Sequence, residues 1–77
     1  MHDEYVVLEA EIIETSDLVN KELKNASLPP EIRIGAVLRK EEIIIPRSSF
    51  IFKKQDTVVF LTKRDQLPLV ESMFRLS

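Results

Sequence analysis

The stretch Ile32-Arg33-Ile34-Gly35-Ala36-Val37-Leu38-Arg39-Lys40-Glu41-Glu42-Ile43-Ile44-Ile45-Pro46 decides the fold. Ile32, Ile34, Ala36 and Leu38 alternate with Arg33, Gly35, Val37 and Arg39, the period of a strand with two unlike faces. Lys40-Glu41-Glu42 is a polar turn without glycine. Ile43-Ile44-Ile45 resumes as a second strand and stops at Pro46, which has no amide to give a ladder. Three consecutive isoleucines cannot all face one side, so at least one must be covered from the opposite face.

Downstream, Arg47-Ser48-Ser49 is a loop, Phe50-Ile51-Phe52 a short apolar patch, and Lys53-Lys54-Gln55-Asp56 a turn. Thr57 to Thr62 is a strand apolar on both faces, Val58 and Phe60 on one and Val59 and Leu61 on the other. That places it centrally in a sheet. Asp65 is a candidate cap for an amphipathic helix carrying Leu67, Val70 and Phe74, with Met73 alongside and Pro68 in the first turn. Upstream, Val6, Leu8, Ala10 and Ile12 share one parity, which predicts a half-buried strand over 8–14. Tyr5 to Val7 either extend it or form a lead-in (residues 1–7) from a larger protein. Ser16 or Asp17 caps a short helix, 17–24, ended by Asn25-Ala26-Ser27 and Pro29-Pro30. The expected fold class is α+β: one domain over 1–77, a small mixed or antiparallel sheet of about four strands with two helices, in the order β-α-β-β-β-α.

Seventy-seven residues bury a marginal core. With no cysteine there is no disulfide framework and no thiolate metal site, and the single His2 cannot build a zinc site alone. The staple left over is association. One glycine, Gly35, excludes phosphate-cradling loops. The net charge of −2 gives no reason to expect nucleic acid, although it divides unevenly. Residues 1–31 hold eight acids and two bases, and residues 32–77 nine bases and five acids. A basic second half suits an anionic ligand or an acidic partner; equally, Lys40, Lys53, Lys54, Lys63 and Arg64 serve as solubilising turn charges. No apolar run approaches a membrane span and the acidic start is no signal peptide, so the chain is expected to be soluble and cytoplasmic.

For catalysis, Ser16, Ser48 and Ser49 have no histidine near them in sequence, and no triad is expected. Glu9 and Glu11 share a strand face, where the ordinary reading is a solvated surface and the chemical one an acid–base or cation pair. The chain is not expected to be an enzyme or to carry a metal. For binding, Ile43–Ile45 with Pro46, and Phe50 with Phe52, exceed what this core can use. Arg33 and Arg39 fall on one face of a regular strand, about 20 Å apart. Beside an apolar groove they would suit a planar anion; otherwise they pair with Glu31, Glu41 or Glu42.

In series, these motifs resemble the TrkA C-terminal, or RCK-C (regulator of potassium conductance), domain family. Glu9-Ala-Glu-Ile-Ile is similar to its opening strand. Ser16-Asp-Leu-Val-Asn-Lys-Glu-Leu23 is similar to its Ser-x-Leu-x-Gly-Lys-x-Leu segment. Ile34-Gly-Ala-Val-Leu-Arg39 resembles the Ile-x-Ala-x-x-Arg strand, Ile44-Ile45-Pro46 the Ile-x-Pro end of the next, and Asp56-Thr-Val-Val-Phe-Leu61 the Gly-Asp-x-Leu-x-Val strand. Val70-Glu71-x-x-Phe74 is similar to the closing helix. Asn20 and Gln55 stand where the family has glycines; asparagine tolerates a left-handed backbone and glutamine does so less readily.

The resemblance implies a ligand-responsive regulatory and dimerisation domain of a potassium or other cation transport system. Such a domain gates a membrane transporter through a cytosolic subunit, peripheral to the inner membrane. The implied partners are a second copy and the transporter's membrane subunit, with no nucleic acid and no direct membrane insertion. No cofactor is required; the implied effector is a nucleotide or cyclic dinucleotide, bound at the dimer interface. Where binders of cyclic di-AMP are expected to have an asparagine, this chain has Arg33. The expected ligand residues are Arg33, Ala36, Arg39, Ile44, Ile45 and Pro46. Arg39 is the phosphate contact, since it matches the motif arginine. The alternative is a purely structural dimerisation or interaction domain, attached to another transporter or a transcription regulator, with no small ligand.

Overall fold

Backbone pairing organises the chain around one strand. The computed structural model describes residues 4–30, 32–73 and 75–76; the expectations placed on His2, Glu31 and Phe74 lie outside them. β1 (Tyr5–Glu11), β2 (Arg33–Arg39), β3 (Glu42–Ile44), β4 (Thr57–Lys63) and the two-residue β5 (Arg75–Leu76) form a sheet in the order β3-β2-β4-β1-β5. Every described pair is antiparallel. Thr57–Lys63 is central, as its two apolar faces require. An α-helix, α1 (Leu67–Met73), follows it through a 3-10 turn at Arg64–Gln66.

Alternation sorts the core. Ala10, Val37, Val58 and Phe60 point to one face and are buried with Ile12, Leu18, Ala26, Ile32, Phe52 and Val70. β1 begins earlier than expected, taking in Tyr5–Val7 opposite Leu61–Lys63. It ends at Glu11 because β4 begins at Thr57, and Ile12 instead bonds the turn before it, donating to Asp56 O and accepting from Gln55 N.

The helix expected over 17–24 is absent. Its amides are claimed elsewhere: Asn20 N donates to Phe52 O and Leu23 N to Phe50 O, while Phe52 N donates to Lys21 O. A strand-like partner satisfies the backbone that a helix would otherwise satisfy internally. What remains is a series of turns and a 3-10 helix at Leu23–Asn25. Ser16 still caps, its Oγ accepting from Leu18 N at 3.1 Å. Asn20 and Gln55 are both left-handed, with φ 69° and 72°, so each adopts the backbone expected of the glycine it replaces.

Candidate functional site

A single irregularity in β2 decides where its side chains go. Arg33 pairs with Leu61 and Ile34 with Phe60, but Ala36 pairs with Val59, so Gly35 is an extra residue forming a β-bulge. The bulge reverses side-chain parity. Ile34 and Val37, three residues apart, both face the core, opposite Phe60 and Val58. Arg33 and Ala36 lie on the other, open face. Arg33 and Arg39, expected on one face, are therefore on opposite faces.

On the core side, Arg39 follows the register Leu38–Thr57 and meets Asp56. Its Nε donates to Asp56 Oδ1 at 2.8 Å and its Nη2 to Oδ2 at 2.7 Å, a bidentate fork. Nη2 also donates to Ile51 O at 2.9 Å, and the guanidinium lies 4.9 Å from the centre of the Phe50 ring. Phe50 in turn meets Phe52 edge-on at 5.4 Å. Asp56, 1% exposed, also accepts from Lys53 N at 2.8 Å. The hydrogen bonds to Asp56, helped by its charge and by Glu42, raise the Arg39 pKa above its ordinary value against the opposing effect of burial. The guanidinium thus ties β2, the start of β4 and the 50–53 segment together.

Asp56, rather than the expected Glu41 or Glu42, is the carboxylate that Arg39 holds. The signal for it is the register of the β2–β4 pair, and no local pattern reveals that pairing.

Around this pair, Arg39, Lys40, Lys53, Lys54, Gln55 and Asp56 line a cleft of about 250 Å³. Its bases are largely engaged already. Lys53 Nζ donates to Asn20 Oδ1 at 3.1 Å, Lys54 lies 3.7 Å from Glu14, and Arg39 is neutralised by Asp56. Of the bases lining the cleft, Lys40 alone has no partner among the described residues.

The isoleucine run divides as its parity demands. Ile44 pairs with Val37 and packs against the core, and Pro46 is half-buried. Ile43 and Ile45 are 71% and 72% exposed. The six expected ligand residues thus do not share one surface of the chain. Arg33 and Ala36 occupy the open face, Arg39 and Ile44 the core side, and Ile45 projects to solvent.

The open face is more extensive than the isoleucine run alone suggests. Val7 and Leu61 lie on it with Arg33, Ala36, Leu38, Val59 and Ile43, the expected pair Glu9 and Glu11 stands on it along β1 opposite Val59 and Thr57, and no described helix covers it. Among the described residues no group of three His, Cys, Asp or Glu is placed to hold a metal. No described helix is long and apolar enough to cross a membrane.

Comparison with known proteins bears on this arrangement. The family described as "TrkA-C domain" matches residues 7–75. The Trk system potassium uptake protein TrkA of Azorhizobium caulinodans is 38% identical over 92% of the chain, which spans 16% of that relative. The Trk system potassium uptake protein TrkA homolog of Archaeoglobus fulgidus is 33% identical over 83% of the chain and 15% of the relative. The TrkA protein of Haemophilus influenzae is 33% identical over 84% of the chain and 14% of its own length. The chain therefore spans about one sixth of these curated relatives. A solved structure described as "Structure of RCK domain with cda" superposes with a TM-score of 0.75, covering 90% of this chain and 97% of that one. Its sequence is 15% identical, so the likeness is one of fold.

Proposed function

Because this chain belongs to the TrkA-C domain family, we propose that it is a regulatory and dimerisation domain of a potassium transport system. It acts on the cytoplasmic side, responding to a small anionic ligand and gating a membrane subunit through the longer protein that contains it. The observation that carries this reading is the 38% identity to a Trk system potassium uptake protein, sustained over 92% of the chain. The exposed Val7, Ile43 and Leu61 on the open face support association, which a core this small needs. The nucleotide or cyclic-dinucleotide class of ligand comes from the family resemblance. Of the two arginines expected to hold the ligand, Arg33, exposed and on the open face, is the one without a described acid, since Arg39 is held by Asp56.

The test is made in cells whose potassium uptake depends on the complete transport protein. Removing these residues should abolish the regulation of uptake while the membrane subunit is still made. Unchanged, still-regulated uptake would contradict the proposal. Calorimetric titration of the 77-residue chain with ATP, NADH and cyclic di-AMP tests the ligand. Saturable heat lost in Arg33→Ala supports ligand responsiveness.

A second reading is favoured by the commitment of Arg39 to Asp56 and by its separation from Arg33 across the sheet. In it the domain is a dimerisation module without a small ligand, and all three titrations give no heat.

A further inference from the structure

We draw no further inference here: the strongest candidate, the open sheet face with the exposed Val7, Leu61 and Ile43 beside the β1 carboxylates Glu9 and Glu11, carries nothing beyond the association already proposed, because nothing in the structure shows what covers it.

Discussion

β2 carries two arginines six positions apart, and they have opposite surroundings. Arg39 donates three hydrogen bonds, two to a carboxylate 1% exposed and one to a carbonyl, and lies against an aromatic ring. Arg33 is exposed and makes no described contact with any acid. A regular strand would give both the same environment. One inserted residue, Gly35, turns the first outward and leaves the second to close the core. The family-motif arginine is thus a structural tie, and the arginine outside the motif is the one available for recognition.

The two faces of β4 allow the largest contrast. Phe60 is buried at 1% exposure and Leu61, the next residue, is 38% exposed. Phe60→Ala should cost about 3–5 kcal/mol in urea denaturation through the cavity it leaves. Leu61→Ala, partly solvated, should cost the monomer about 1 kcal/mol or less and show its main effect on association. Equal losses would mean that the open face is covered within the chain.

Asp56→Asn sharpens the comparison at the other end. It removes the charge but keeps the shape, and should cost about 2–3 kcal/mol, the worth of hydrogen bonds to an ionised group. Arg39→Lys should cost about 1–2 kcal/mol, because an ammonium cannot fork to both carboxylate oxygens. The sign of the Arg39 shift also predicts a pH response. Its folded pKa is raised above an already high unfolded value. Its contribution is therefore complete below the unfolded pKa and is lost only in strong alkali. Between about pH 6 and 10 the cost of Arg39→Lys should not change.

The smallest effect is expected at the turn before β4. Gln55→Gly relieves a left-handed backbone at φ 72° and should add about 0.5–1 kcal/mol, partly offset by the greater freedom of unfolded glycine. A loss on this substitution would show that the Gln55 side chain holds the turn.

Much of the fold is legible in the amino-acid pattern alone. Alternation over 32–39 and 57–62 marks β2 and β4 to within one residue, and the two-faced apolarity of Val58–Leu61 makes β4 central. The candidate site is less legible, for three physical reasons. The 17–24 segment has a capping serine and apolar spacing that suit a helix, yet its amides bond Phe50 and Phe52, partners about thirty residues away that local pattern cannot reveal. The bulge at Gly35 is a shift of register against β4, which the alternation of β2 does not show. Neither space nor φ demands glycine there, since an added Cβ would sit 3.6 Å from Val59 O, an ordinary contact. Asp56 reads as a turn residue because its partner lies seventeen positions back and across a strand.

Urea denaturation of Arg33→Ala and Arg39→Ala, measured side by side against the parent chain, tests the division of labour on β2 most directly. Arg39→Ala leaves the buried Asp56 carboxylate without its counter-charge and should cost about 3–5 kcal/mol. Arg33→Ala, a surface truncation, should stay within about 0.5 kcal/mol of the parent's stability per folded chain. Equal costs for the two, or a stable Arg39→Ala beside a crippled Arg33→Ala, would contradict the account.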